Sequence, residues 1–301
     1  MKGVDSMTAD CPKVSIVTPT YNRARFIREA VESVLAQTMP NWELLIVDDG
    51  STDDTREVLA SYLADERIQY IYQPNQGQSV ARNAALAKAR GEFVGFLDSD
   101  DLWRAQKLER QLSIFEAQPD VHIVHGDESI IDEHGLEISQ ENMRRYSGNI
   151  AAQLLADNSV SITTALVKRE CFDEMGLFQA SHGVADDYDL WLRFSVRYRF
   201  YYESGIVASY RVMADQISSD KRRRFAANEA IIDSFLEQFG YALTAQEKRW
   251  GLAHFYCRKA RYFASVGERR YAAESVFKAF RKAPLDIVVW RAIYRALVSP
   301  Q

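Results

Sequence analysis

The sequence predicts an α/β fold with a mainly parallel β-sheet covered by helices on both faces, followed by a helical extension. The first 130 residues alternate between short apolar runs of strand length and amphipathic helical segments. The apolar runs show little polar alternation, which is typical of strands buried on both faces. Beyond residue 221 the pattern is almost entirely helical. Apolar residues make up 47% of the 301 residues, which is enough to build a large core.

The alternation predicts five strands joined by four helices. The strands are expected at 14–20, 42–49, 67–73, 92–98 and 121–126. The helices are expected at 23–37, 55–64, 79–90 and 105–117. Strands that alternate with helices in this way are typical of βαβ units.

Polar residues cluster where three of these strands end, at 18–22, 48–52 and 98–101. In open parallel sheets, ligands bind beyond the carboxyl ends of the strands. The third cluster contains Asp98 and Asp100, alternate residues that point to the same side of an extended chain. Two hard oxygen ligands suit Mg²⁺ or Mn²⁺, which takes its other ligands from water and diphosphate. The alternative is that these acids only begin a turn before the next helix.

The usual phosphate-binding loops are absent, because the sequence contains neither GxGxxG nor GxxxxGK[ST]. A phosphate group would therefore have to be bound by other residues. Asp48 and Asp49 end a predicted strand, where a carboxylate can accept hydrogen bonds from a base or a ribose. Arg82 lies one turn into a predicted helix and could face a phosphate or pair with the aspartates.

The composition favours a cytoplasmic protein. The three cysteines, Cys11, Cys171 and Cys257, are odd in number and far apart. This argues against a disulfide framework and for a reducing compartment. The first ten residues lack the apolar core of a signal peptide. No apolar run approaches the roughly 18 residues of a membrane span.

The C-terminal extension, residues 221–301, is basic. It carries sixteen Lys and Arg against seven Asp and Glu, although the whole chain carries 37 against 42. Two interpretations stay open: a peripheral contact with an anionic membrane surface near a lipid-linked acceptor, or a helical cap on the preceding domain. No aromatic platform accompanies the KRRR segment at 221–224, so no nucleic-acid role is expected.

Six segments of the chain occur in a recognisable order. They are VSIVTPTYNRARFIREAVESVL, ELLIVDDGSTDDT, NQGQSVARNAAL, EFVGFLDSDDLW, TTALVKRECFDEMGLF and VADDYDLWLRFS. Together they resemble glycosyltransferase family 2. The resemblance implies a GT-A fold over residues 12–220, with a nucleotide-binding half at about 12–130 and an acceptor half at about 131–220, before the extension at 221–301.

The resemblance also implies an activity. Family members transfer a sugar from a nucleotide-diphosphate donor, usually with inversion and a divalent metal. Here it implies a UDP-sugar donor and a glycan or lipid-linked acceptor in cell-surface polysaccharide synthesis. The alternative is a non-catalytic sugar-nucleotide or glycan-binding protein on the same scaffold. The sequence is also compatible with an oligomer.

The family motifs assign roles to individual positions. Asp98 and Asp100 match the DxD motif and would hold Mn²⁺ or Mg²⁺, whereas Asp101 is expected to be structural. The positions expected to bind the donor are Pro19, Thr20, Tyr21, Asp48, Asp49, Arg82, Asn83, Asp98 and Asp100.

An inverting displacement needs a base that takes the proton of the acceptor hydroxyl, on the sugar face opposite the metal. The segment ADDYDLWLRFS reads as an amphipathic helix with three acids in its first turn. In the family, two adjacent acids begin this helix and the second of them is the base. The resemblance therefore implies that Asp187, which follows Asp186, is the base. Asp186 replaces the commoner Glu. The alternative is that these acids have no catalytic role and only interact favourably with the dipole at the N-terminus of the helix.

The segment SYRVMADQISSD resembles the family's tyrosine–arginine segment. The resemblance leaves Arg211 and Ser218 as candidates to bind the diphosphate. Met213 stands where the family often has a histidine. A thioether is a poor ligand for a hard cation, so the metal's ligand set departs from the family pattern.

Overall fold

A computed structural model describes residues 11–140, 143–182, 184–213 and 220–298 of the chain. Within these residues, a nine-stranded sheet forms the centre of the molecule. The strands are β1 (Val14–Thr20), β2 (Trp42–Asp48), β3 (Ile68–Tyr72), β4 (Phe93–Phe96), β5 (Leu102–Trp103), β6 (Val121–Ile131), β7 (Glu137–Gln140), β8 (Leu166–Lys168) and β9 (Arg199–Arg211). The helices are α1 (Ile27–Leu35), α2 (Thr55–Leu59), α3 (Gln78–Leu86), α4 (Lys107–Ala117), α5 (Ala151–Ala156), α6 (Glu170–Met175), α7 (Asp186–Ser195), α8 (Lys221–Phe239), α9 (Ala245–Ser265), α10 (Arg269–Lys282) and α11 (Ile287–Val298).

The sheet has the strand order β3-β2-β1-β4-β8-β6-β9-β5, and β7 pairs with β6. The first four strands of the chain pair in parallel, as the βαβ pattern predicts. Strand β8 runs antiparallel between β4 and β6, whereas β6 and β9 are parallel to each other. The carboxyl ends of β1, β2 and β4 therefore meet at one edge of the sheet.

Helices cover both faces of the sheet, which confirms the predicted fold class. Alternate residues of each strand enter different cores: Val17 and Leu45 face one core, and Ile16 and Leu44 face the other. The first core is shared with α3 and with α5 to α11. The second is shared with α1, α2 and α4.

The C-terminal extension packs onto the sheet domain as a helical cap. Helix α9 begins with a capping box formed by Thr244 and Glu247 and lies against α5. The contact is close because Gly251 of α9 has no side chain. A Cβ atom there would lie 2.6 Å from Cβ of Leu155 and 2.8 Å from the carbonyl oxygen of Ala152. No helix of the described part of the chain is long and apolar enough to cross a membrane.

Some elements differ from the sequence expectation. The helix expected at 55–64 is the short α2 followed by a 3₁₀ turn at Tyr62–Ala64. Strand β6 continues five residues beyond the expected end at residue 126. Strands β5, β7 and β8 were not predicted, because each has four residues or fewer and shows no periodicity of its own. Strand β9 was not predicted either, although it spans 13 residues.

Candidate active site

A cleft of about 770 Å³ opens where β1 and β4 end, and the start of α7 contributes to its lining. It brings together residues from distant parts of the sequence, including both predicted acid clusters. The residues expected from the sequence that line it are Pro19, Thr20, Tyr21, Asp49, Arg82, Asp98, Asp100 and Asp187.

One buried arginine links the two acid clusters. Nη1 of Arg82 donates to both carboxylate oxygens of Asp186, at 3.0 and 2.9 Å. Nη2 donates to Oδ1 of Asp98 at 2.7 Å. Burial alone would lower the pKa of Arg82, but the two carboxylates raise it above its ordinary value, so the guanidinium stays charged. Of the two roles left open for Arg82, the structure therefore shows pairing with aspartates.

Asp100 lies just after β4, and its negative charge is only partly offset by a neighbouring arginine. Oδ2 of Asp100 lies 3.4 Å from Nε of Arg23. Burial raises the pKa of Asp100, and the neighbouring Asp98 raises it further. Asp101 is buried and accepts the backbone N–H of Arg211 at 3.0 Å, so it fastens this loop to β9.

Asp98 and Asp100 are the carboxylates that fit a divalent cation. No group of three or more Asp, Glu, His or Cys side chains in the described part of the chain forms a metal site by itself. Mg²⁺, however, commonly binds through one or two carboxylates, with water and substrate phosphates as its other ligands. A cation would also relieve the repulsion that raises the pKa of Asp100. The pair therefore fits an ion that is shared with a bound diphosphate.

The three acids in the first turn of α7, Asp186, Asp187 and Asp189, lie in different surroundings. Asp186 is buried against Arg82, and Asp189 pairs with Arg193 at 2.9 Å. Asp187 faces the cleft and accepts a hydrogen bond from Nδ2 of Asn158 at 3.0 Å. Burial raises the pKa of Asp187 and nearby Asp186 raises it further. This side chain is therefore a better proton acceptor than an ordinary aspartate.

The end of β1 and the loop before α3 form another part of the cleft. The hydroxyl of Thr20 is buried and has no hydrogen-bond partner among the described residues. Asp49 lines the cleft, but its carboxylate accepts the backbone N–H groups of Gln76 at 2.9 Å and Gly77 at 2.7 Å. Asp49 therefore orders this loop, which lies beside the unpaired hydroxyl of Thr20 in the lining of the cleft.

Two residues expected at the donor site lie outside the cleft. Asp48 accepts the Tyr70 hydroxyl at 2.6 Å and the backbone N–H of Ser51 at 2.8 Å, beside a separate cavity of about 310 Å³. Asn83 turns toward Phe178, donating to its carbonyl at 2.9 Å and accepting its N–H at 3.0 Å. Both side chains fix local structure in this arrangement.

Arg211 is also outside the cleft. Its fully buried guanidinium donates to the carbonyl oxygens of Asp100 and Asp132 and to the Glu29 carboxylate. These bonds hold the end of β9 and do not direct the side chain toward a diphosphate. Ser218 lies outside the described residues.

Sequence reasoning missed several residues of the cleft. Asn158 and Arg224 line it, and Arg23 reaches Asp100. Arg23 directly follows the TPTYN segment, and Arg224 belongs to the KRRR segment, so the sequence contained a signal for both. Asn158 belongs to no motif.

Comparisons with known proteins agree on one family. The model of "Glycosyl transferase family 2" matches residues 15–176. The "uncharacterized glycosyltransferase RT0329" of Rickettsia typhi is 33% identical over 242 residues, covering 78% of this chain and 74% of that protein. An "uncharacterized glycosyltransferase" of Rickettsia felis is 37% identical over 180 residues. The "putative teichuronic acid biosynthesis glycosyltransferase TuaG" of Bacillus subtilis is 53% identical over 108 residues.

Several of these matches cover only part of the relative. The aligned part of this chain covers 30% of the length of the Rickettsia felis protein and 43% of TuaG. These alignments include 60% and 35% of this chain, respectively.

Two solved structures resemble nearly the whole chain. S. aureus TarS 1-349 in complex with UDP-GlcNAc has a TM-score of 0.71 at 18% identity, covering 95% of this chain and 87% of that one. The mannosyltransferase PcManGT from Pyrobaculum calidifontis, in complex with GDP-Man and Mn²⁺, has a TM-score of 0.57 at 20% identity, covering 96% and 88%. At these identities the likeness shows a shared fold.

Proposed function

Because this chain belongs to glycosyl transferase family 2, we propose that it is an inverting, metal-dependent enzyme of cell-surface polysaccharide synthesis. Its donor is a UDP-sugar and its acceptor is a hydroxyl of a glycan or lipid-linked molecule. The observation that carries this proposal is that Asp98, Asp100 and Asp187 line one cleft. An inverting transfer needs such an arrangement, since the leaving group and the base act on opposite faces of the sugar.

The comparisons support the finer parts of this proposal. TarS has been solved with UDP and with UDP-GlcNAc, which supports a uridine nucleotide. PcManGT has been solved with Mn²⁺, which supports a divalent ion. TuaG is named for teichuronic acid biosynthesis, which supports a surface polysaccharide as product.

The donor end of the cleft would bind the nucleotide through Thr20, Tyr21 and the loop ordered by Asp49. Asp98 and Asp100 would hold Mn²⁺ or Mg²⁺, which offsets the negative charge that develops on the departing diphosphate. Arg82 would keep its ion pairs with Asp98 and Asp186 during the reaction. Its positive charge reduces the repulsion between the carboxylates of the two acid clusters.

The acceptor end of the cleft supplies the base. Asp187 accepts the proton of the attacking hydroxyl as the new glycosidic bond forms. Asn158 donates to its Oδ2 and so fixes the direction of the carboxylate. The raised pKa of Asp187 brings this group closer to the working pH, which favours proton transfer in the transition state.

Replacing Asp187 with Asn tests the proposed reaction. We expect sugar transfer to fall by about 10²–10⁴-fold, because the base is lost. Donor binding should remain, measured as the rise in melting temperature with UDP-sugars and Mn²⁺. The control is Asp173→Asn, which removes an exposed carboxylate on α6. Unchanged transfer by Asp187→Asn would remove Asp187 as the base, and donor binding by the native chain without any transfer would favour the non-catalytic alternative.

We further propose that the extension makes a peripheral contact with the inner face of the cell membrane. Helices α10 and α11 present an outer surface, the α10–α11 face, on which exposed apolar residues lie among basic ones. Such a surface is complementary to an anionic bilayer, since aromatic and aliphatic side chains enter the interface while Lys and Arg meet the headgroups. Its residues are Phe277, Arg281, Lys282, Leu285, Trp290, Arg291, Tyr294 and Arg295.

A further inference from the structure

The first turn of α8 contains the basic segment 221–224, and its arginines point to different places. Arg222 pairs with Glu268 of the cap. Arg224 instead lines the cleft that also contains Asp187. The Arg224 side chain is exposed and has no hydrogen-bond or ion-pair partner among the described residues. The extension therefore places in the candidate active site a guanidinium that makes no direct ion pair within the described residues.

This charge works against the proposed base. Burial raises the pKa of Asp187 and Asp186 raises it further, whereas the Arg224 guanidinium lowers it. A lower pKa makes a carboxylate a weaker proton acceptor. Strengthening the base therefore does not explain Arg224. An unpaired guanidinium in a ligand-binding cleft is explained if it binds an anion.

The position of Arg224 indicates which substrate carries this anion. The carboxylates of Asp98 and Asp100 pair with Arg82 and Arg23, respectively. Arg224 instead lies in α8, which packs against α7, the helix that carries Asp187. Because Asp187 would take its proton from the acceptor, a group beside Asp187 faces the acceptor, and the diphosphate lies with Asp98 and Asp100.

We propose that Arg224 binds an anionic group, a phosphate or a carboxylate, that the acceptor carries close to its attacking hydroxyl. This inference rests on the proposed function, since it takes Asp187 as the base. Guanidinium groups bind both kinds of anion through paired N–H donors. The bound anion would also neutralise Arg224 and so remove its lowering effect on the pKa of Asp187. An acceptor with this charge therefore strengthens the base when it binds.

A binding experiment on the full chain, saturated with UDP and Mn²⁺, tests this inference. The probes are glucose 6-phosphate, glucuronate and the neutral methyl glucoside, titrated by calorimetry or NMR. We expect at least one anionic probe to bind roughly tenfold more tightly than the neutral one, and Arg224→Gln to abolish this preference. Arg223→Gln is the matched control, since Arg223 is the exposed neighbour that does not line the cleft. It should retain the preference.

Three results would overturn the inference. The native chain could bind anionic and neutral probes equally, or Arg224→Gln could keep the preference. Alternatively, Arg224→Gln could weaken UDP binding and leave the probes unaffected, which would assign Arg224 to the donor diphosphate. The comparison of glucose 6-phosphate with glucuronate distinguishes phosphate from carboxylate. Probe binding by Asp187→Asn separates this inference from the proposed reaction, because binding does not require the base.

Discussion

At the scale of single residues, Arg82 is the side chain on which the geometry of the cleft depends. It is buried between Asp98 and Asp186 and joins the end of β4 to α7. Removing one partner of a buried ion pair leaves uncompensated charge, which costs about 3–5 kcal/mol. We expect Arg82→Met to lower the free energy of unfolding by about this amount, measured by urea denaturation.

The control for Arg82 is an arginine in an exposed ion pair. Arg270 bonds Glu274 at 3.1 Å on the surface of α10. Exposed pairs on helices are worth roughly 0.3–0.5 kcal/mol, so Arg270→Met should have little effect. Similar losses in both variants would contradict a special role for the Arg82 network.

Asp187 is expected to reduce the stability of the fold at neutral pH. Burial and Asp186 raise its pKa in the folded state above the ordinary value of 3.8. The folded state then holds this proton more tightly than the unfolded chain. The stability that comes with the proton is present below the ordinary pKa and is lost as the pH rises through the folded pKa. Asp187→Asn should therefore unfold at higher urea concentration than the native chain at pH 7.

The pH dependence makes this prediction specific. The gain from Asp187→Asn should shrink as the pH falls and should vanish below 3.8, where the native carboxyl group is protonated in both the folded and the unfolded state. Asp233→Asn, on the exposed side of α8, should give no such gain. A gain of equal size at pH 7 and pH 4 would contradict an electrostatic origin.

At the scale of secondary structure, elements with a clear period were predictable, whereas the short strands and the 13-residue strand β9 were not. Strands β1, β2 and β4 are continuous apolar runs, and the apolar residues of α7 recur at helical spacing. Strand β8 has three residues and exists because it pairs between β4 and β6. Such pairing depends on tertiary contacts that no local pattern shows.

The same limit applies to the candidate site. The family motifs and the helical period of α7 singled out Asp98, Asp100 and Asp187, and the three residues line one cleft. The sequence did not show that Arg82 would join Asp186, since 104 positions separate the two residues. Nor did it show that the side chain of Arg211 would hold the end of β9 in place through bonds to Asp100, Asp132 and Glu29, and would not face a ligand.

The contact of α9 with α5 depends on a glycine inside a helix. Replacing Gly251 with Ala would favour the helix by about 1 kcal/mol on propensity alone. The new Cβ, however, would lie 2.6 Å from Leu155 and 2.8 Å from a backbone oxygen. Overpacking of this kind typically costs about 1–3 kcal/mol, so we expect Gly251→Ala to lower the melting temperature.

The matched control for Gly251 is Gly240, which ends α8. It has φ −57°, and a Cβ there would meet the flexible end of Lys248 at 3.4 Å. Gly240→Ala should therefore be close to neutral. If both variants melted at the native temperature, the close contact between α9 and α5 would not limit stability.

At the scale of the whole molecule, the extension and the cleft belong to one packed unit. The core on one side of the sheet runs from β1 and β4 through α7 to buried residues of α8, α9 and α11. Helix α8 places Arg224 in the cleft, and α10 and α11 carry the exposed α10–α11 face. The cap therefore contributes to the lining of the cleft and directs a second surface outward.

The outward surface leads to a prediction for the full chain on lipid vesicles. Leu285 is 95% exposed in the connection between α10 and α11, three residues after Lys282. Burying a leucine contributes roughly 1.5–3 kcal/mol, so Leu285→Glu should weaken co-sedimentation with phosphatidylglycerol vesicles by about tenfold or more. Binding should also fall as salt rises, because headgroup attraction is screened. Leu136→Glu, on another exposed leucine, is the control and should bind as the native chain does. Equal binding to uncharged phosphatidylcholine vesicles, or no effect of Leu285→Glu, would contradict a membrane-facing role for this surface.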